Sequence, residues 1–239
     1  MDNAGYIGLT RSSGLMRELN TLANNIANIS TNGFRREGSV FAEHVKALEG
    51  GDPSISMATL TRRFIDLSAG DIKQTANPLD FAVISEGFFL VETDGGERLT
   101  RDGAFSMSSI GELVTTSGDR VLDESGGAIV IPPEATAVNM AEDGTISADG
   151  QAIGRIGIVN ADPAFLVREG KNLFRPEQGY EPVENARVQQ HALEGSNVSA
   201  VTEIARLIEV QRMYESSKQF MDTENDRTRQ TIRTLGQEQ

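Results

Sequence analysis

All seven prolines of this 239-residue chain lie between Pro53 and Pro182, and that confinement divides the sequence before any element is assigned. Proline lacks the backbone N–H and clashes with the preceding helical turn, so long uninterrupted helices are open only to the two proline-free ends. Charge follows the same division. Residues 1–46 carry five basic and four acidic side chains, and residues 187–239 carry seven and eight. Residues 47–186 carry ten basic and 23 acidic side chains, which accounts for the whole net charge of −13. The chain therefore reads as an N-terminal segment 1–46, an acidic centre 47–186 and a C-terminal segment 187–239.

Both ends have helical patterning. Leu15, Leu19, Leu22, Ile26 and Ile29 recur at 4-3-4-3 spacing, the seam of a helix that packs on another helix. This helix is expected over 15–29, ending at Ser30-Thr31-Asn32-Gly33, where Asn and Gly tolerate left-handed backbone. Gly14, Asn20, Asn24, Asn25 and Asn28 are poor helix formers, so alone in water it is marginal. The C-terminal helix is expected from about 199 to 235, roughly 55 Å long at ~1.5 Å per residue. Ser196, Asn197 and Ser199 offer caps, and no Gly or Pro interrupts 196–235. Its charges recur at i,i+3, as in Glu203/Arg206 and Glu224/Arg227. Its apolar residues are Val198, Val201, Ile204, Leu207, Ile208, Tyr214, Phe220 and Met221, then sparsely Ile232 and Leu235. A helical hairpin of the two ends, coiled-coil-like, is the simplest way to cover both seams.

The centre reads differently. From Thr59 to Phe174 short apolar runs such as Phe88-Phe89-Leu90-Val91 and Ala128-Ile129-Val130-Ile131 alternate with turn signals. Asp94-Gly95, Asp102-Gly103, Asp143-Gly144 and Asp149-Gly150 are hairpin dipeptides. The expected fold is a mainly β central domain of roughly ten strands flanked by two terminal helices. Residues 33–58, with Gly50-Gly51-Asp52-Pro53, read as a partly mobile connector.

Several functions are disfavoured by what the chain contains. A pI near 4.6 without a basic stripe argues against nucleic-acid binding. With no cysteine there is no disulfide framework, thiolate metal site or cysteine nucleophile. His44 and His191 stand apart, each without a second ligand nearby in sequence, and no phosphate loop, nucleophile elbow or calcium loop is legible. No catalytic, cofactor-binding or metal residue is therefore assigned, and an enzyme is not expected. No cleavable signal is read at Met1-Asp2-Asn3-Ala4-Gly5. The run from Phe81 to Val91 is too short and too interrupted to enter a bilayer.

The motifs at the two ends carry a resemblance. Ala23-Asn24-Asn25-Ile26-Ala27-Asn28-Ile29-Ser30-Thr31-Asn32-Gly33-Phe34 resembles the N-terminal signature of the bacterial flagellar rod and hook proteins. Leu193-Glu194-Gly195-Ser196-Asn197-Val198, followed by Glu203, Ile208, Gln211-Arg212 and Tyr214, resembles their C-terminal pattern. Between them, Asn77-Pro78-Leu79-Asp80-Phe81, Gly87-Phe88-Phe89 and Thr100-Arg101-Asp102-Gly103-Ala104-Phe105 are similar to the family's β core. Within the family, the opening residues and modest length look most like a proximal-rod subunit, with a distal-rod subunit as the alternative.

The resemblance implies a structural subunit without cofactor, exported through a type III apparatus. It implies polymerisation with itself and other rod proteins into a drive shaft across the periplasm, and no membrane insertion. Its helices would pair into an inner tube, with the marginal ends ordering on assembly, and its β domain would lie outside. Leu15, Leu19, Leu22, Ile26 and Ile29 are expected to pack on Val201, Ile204 and Ile208 and on neighbouring subunits, with Val198, Leu207 and Tyr214 in the same interface. Asn24, Asn25 and Asn28 would hydrogen-bond across it, and Phe34 would anchor helix to connector. An acidic binding module displayed on helical stalks is the competing class.

Overall fold

A computed structural model describes residues 3–46 and 55–237. It contains two compact units, one of Met1–Ala27, Glu37–Phe64 and Ser199–Gln239, the other of Asn28–Arg36 and Ile65–Val198. Strands fill the middle of the chain, with one helix at each end.

In the first unit, helix α1 spans Asn3–Ala27 and helix α2 spans Ala200–Gln237. α1 begins well before the expected Leu15, and this first half meets α2 at Ser12–Ser217 and Gly8–Met221. At 38 residues α2 is about 57 Å long at 1.5 Å per residue. The same unit holds strands β1 (Glu37–Lys46) and β2 (Ile55–Ile65), a two-stranded sheet. This corrects the connector reading of 33–58, whose remaining residues 47–54 lie outside the described residues. Near the root of the pair the Phe64 ring covers Gly38, where a Cβ would lie 2.2 Å from it. A side chain at position 38 would compete with that ring.

The second unit is built on a nine-stranded antiparallel sheet. Its centre is the strand Phe88–Thr93, hydrogen-bonded to Gly96–Thr100, Arg120–Val121 and Ile158–Asn160. The run Phe88-Phe89-Leu90-Val91 shows no polar alternation because both faces of this strand are covered. Phe89 and Val91 join a cluster with Phe81, Phe105, Leu113 and Ile146, while Phe88 and Leu90 join Leu99, Leu166 and Phe174 on the other side. Phe89 meets Phe105 edge-on at 5.1 Å, and Phe88 meets Phe174 edge-on at 5.5 Å between ring centroids. Among the described residues the second unit holds 16 strands rather than roughly ten. Most are only a few residues long, too short to give separable periodicities.

Three of the four Asp-Gly pairs turn hairpins: Asp94-Gly95, Asp143-Gly144, and Asp149-Gly150 with both residues at positive φ (49° and 84°). Asp102-Gly103 does not. Gly103 accepts a hydrogen bond from Phe81 N–H at 3.0 Å, and a Cβ there would lie 1.7 Å from the Phe81 carbonyl oxygen. Close backbone approach, not a turn, is what requires this glycine.

Candidate functional site

Two constellations stand out, one in each unit. In the first, α1 and α2 run antiparallel. Contacts step from Asn25–Glu203 through Glu18–Arg206 and Ser12–Ser217 to Gly8–Met221. The α2 residues facing α1 are Glu203, Leu207, Val210, Tyr214, Ser217 and Met221, at 4-3-4-3-4 spacing. The apolar centre of the pair is Leu15, Leu22 and Val210, flanked by Leu19, Leu207, Met213 and Tyr214. At its Met221 end the helices approach closely, since a Cβ on Gly8 would sit 2.9 Å from the Met221 side chain.

The polar centre of the pair is Asn25, fully buried. Its Nδ2 donates to the Glu37 carbonyl at 2.8 Å and to Glu203 Oε2 at 3.0 Å, and its Oδ1 accepts from Glu37 N–H at 3.0 Å. One amide thus ties α1 to the start of β1, in the manner of a strand neighbour, and to the first turn of α2. Glu18 pairs with Arg206 at 2.7 Å, so Arg206 bonds Glu18 and Glu209 rather than Glu203. Burial lowers the Arg206 pKa, but the bonds to Glu18 and Glu209 outweigh it and the net shift is upward.

Val201, Ile204 and Ile208 do not face α1. At about 100° per residue they lie roughly 100–160° around α2 from Glu203, and they are 81%, 45% and 46% exposed. The intrachain half of the expected packing is thus replaced by a polar-containing stripe, leaving a separate apolar stripe on the opposite face. α1 shows a smaller one at Leu9 and Met16. Asn24 is exposed and Ile26 half-buried.

Asn28, Ile29, Phe34 and Val198 belong to the second unit. Asn28 stabilises the turn after α1, its carbonyl accepting from Thr31 N–H at 3.2 Å and its Oδ1 from the Thr31 hydroxyl at 3.1 Å. The turn closes at Gly33, with φ of 64°. Its N–H donates to the Glu194 carbonyl at 2.7 Å, and a Cβ there would lie 2.3 Å from the Arg101 carbonyl carbon. Phe34 is buried beneath the Arg168 guanidinium, 4.3 Å from its ring centroid, and Arg168 also covers Phe174 at 4.8 Å. Arg168 donates to the Arg35 carbonyl.

The centre of this constellation is Glu194. Its carboxylate is wholly buried and lies 2.7 Å from Arg35 Nη1 and 3.3 Å from Arg101 Nη1, while Oε1 accepts from Gly70 N–H at 2.8 Å. Arg101 also donates to the Val83 and Ser85 carbonyls at 2.9 and 3.0 Å. Burial pushes the Arg101 guanidinium down to about 10, against the opposing pull of Glu194. Asn197 Oδ1 accepts from Arg36 N–H at 2.7 Å, and its Nδ2 donates to the Asp66 and Ser68 carbonyls at 3.0 and 2.9 Å. Glu194, Arg35, Arg101, Asn197 and Glu203 were all missed as site residues. Glu194, Asn197 and Glu203 are polar letters of the C-terminal motif and Arg101 of the central one, whereas Arg35 lies outside all three motifs.

Among the described residues no group of three or more His, Cys, Asp or Glu could hold a metal ion, and no helix is long and apolar enough to cross a membrane. In chain order the strands lie between the two terminal helices, and the Asn-rich and Leu-Glu-x-Ser-Asn motifs stand where the chain passes between helix and strands. Three family models match: "Flagella basal body rod protein" at residues 6–35, "Flagellar hook protein FlgE/F/G D1 domain" at 82–148, and "Flagellar basal body rod FlgEFG protein C-terminal" at 189–234. "Flagellar basal-body rod protein FlgF" of Caulobacter vibrioides is 41% identical, covering 99% of each chain. The FlgF of Mesorhizobium japonicum is 35% identical with the same coverage. The FlgG of Agrobacterium fabrum is 32% identical over 92% of this chain and 94% of its own. The chain belongs to the flagellar basal-body rod protein family and is a structural rod subunit, with FlgF-type relatives ahead of FlgG-type ones. That full-length match favours the rod over the acidic binding module.

Proposed function

We propose that this subunit polymerises in the proximal rod, in a shaft that carries torque from motor to hook, and that its helix pair forms the core-tube contacts. The observation that carries this reading is the apolar stripe Val201–Ile204–Ile208, set on the face of α2 opposite α1 and left open in the single chain. A smaller stripe at Leu9 and Met16 on α1 gives the pair two different apolar faces. Two unlike faces make heterologous contacts, which build an open helical filament where the rotation between neighbours does not close a ring.

In this arrangement α1 and α2 pair in coiled-coil fashion within the tube. The acidic residues of the β unit form the outer part, where like charge limits side-to-side association of finished rods. Other rod subunits and further copies of this chain are the partners, and the flagellar type III apparatus exports it to the basal body in the periplasm. Leu15, Leu19, Leu22 and Asn25 act by holding the helix pair together. Val201, Ile204 and Ile208 act by meeting a neighbour.

The test is deletion of the gene followed by electron microscopy of extracted basal bodies. Truncated or missing rods, with stump length reporting position along the shaft, are expected. Complete rods bearing hooks would overturn the proposal.

A further inference from the structure

The Glu194 constellation joins two stretches of chain that are 159 positions apart between Arg35 and Glu194. Residues 28–36 follow directly on α1, and residues 192–198 lead directly into α2. Three hydrogen bonds and one ion pair join the two stretches, the Asn197 N–H donating to the Phe34 carbonyl at 3.3 Å among them. Gly33 N–H donates to the Glu194 carbonyl, Arg35 pairs with the Glu194 carboxylate, and Arg36 N–H donates to Asn197.

Arg35 is fully buried, and among the described residues the Glu194 carboxylate, 2.7 Å from Nη1, is what holds its guanidinium. The reverse does not hold. Glu194 also has Arg101 and Gly70 N–H. A buried charge deprived of its partner is strongly destabilising, whereas loss of one of several partners is milder.

We propose that Glu194, Arg35 and Arg101 form a latch that makes the two end segments of the β unit dock as one cooperative unit. Order in residues 33–36 and order in residues 195–197 are then thermodynamically linked. The chain segments that continue into α1 and α2 are fixed in one step, and only when both are present. The inference stands on the geometry of the β unit alone and does not depend on where the subunit sits in the rod.

Amide hydrogen exchange on the full chain tests it through cross-effects. Arg35→Met, which leaves Glu194 paired with Arg101, is expected to speed exchange at Gly195–Asn197 and Gly70 by about 10-fold. Glu194→Gln, which strands Arg35, is expected to speed exchange at Gly33–Arg36 by about 100-fold. The Leu90 amide, bonded to the Gly157 carbonyl in the central sheet, serves as reference and should change less in both. If Glu194→Gln does not fold, Arg35→Met alone decides, because its effect must appear in the other segment. The latch is overturned if each substitution loosens only its own segment, with residues 33–36 held by Arg168 instead. It is equally overturned if Leu90 accelerates by the same factor, which would mean global unfolding and no separate latch.

Discussion

Ile208→Asp separates assembly from folding. Fully burying a Val or Ile side chain is worth about 1.5–3 kcal/mol. With Val201 81%, Ile204 45% and Ile208 46% exposed, completing their burial against a neighbour is worth roughly 4 kcal/mol per subunit. About 1 kcal/mol of that belongs to Ile208, and placing an unpaired carboxylate in the same contact costs about 3 kcal/mol more. The combined loss of about 4 kcal/mol is roughly three decades in subunit association. Within the isolated chain Ile208 faces away from α1, so the thermal unfolding of purified protein should change by less than about 0.5 kcal/mol. The assays are swarming, rod length in extracted basal bodies, and calorimetry of the purified chain. Short rods and lost swarming with an unchanged melt are expected. Leu22→Asp, at a 7% exposed position in the helix-pair core, should lose assembly and also loosen the pair while sparing the β unit. Wild-type swarming of Ile208→Asp would refute the reasoning, as would a melt lowered as far as that of Leu22→Asp.

Three further outcomes follow from particular side chains. Gly33→Ala forces a Cβ to within 2.3 Å of the Arg101 backbone at a positive φ, and should destabilise the β unit by about 2–4 kcal/mol in denaturant titration. A loss under 0.5 kcal/mol would contradict the close approach. Burial, with a smaller contribution from Asp80, raises the Asp102 carboxyl pKa against the hydrogen bond from Ala104. Because the folded value lies above the unfolded one, the ionised form costs stability at neutral pH, and that cost fades as pH falls through the folded value toward 3.8. Asp102→Asn should therefore stabilise the β unit at pH 7, with a gain that shrinks to nothing in acid; a pH-independent gain would refute this. Asn25→Asp sets a carboxylate where the amide stood 3.0 Å from Glu203, so helix pairing, read by circular dichroism, should weaken near neutrality and recover in mild acid. Equal helicity at both pH values would count against the Asn25 bridge.

Much was legible in the sequence because it depended on local chemistry. Proline placement marked where long helices could lie, Asp-Gly pairs marked three hairpins, and Asn-Gly marked the turn after α1. What the sequence alone did not decide is which face of α2 meets α1. The inward stripe carries Glu203 and Ser217, so a reading by hydrophobicity prefers Val201, Ile204 and Ile208, although polar residues are accepted where Asn25 and Ser12 satisfy them. The same holds for Asp102-Gly103, a turn signal whose glycine is required by the Phe81 backbone. Glu194 and Arg35 lie 159 positions apart, and nothing local in either announces a buried pair. Periodicity and turn chemistry act over a few residues and can be read from the chain. Partner choice, burial of charge and close backbone approach depend on groups brought together from distant positions, and only the tertiary structure supplies them.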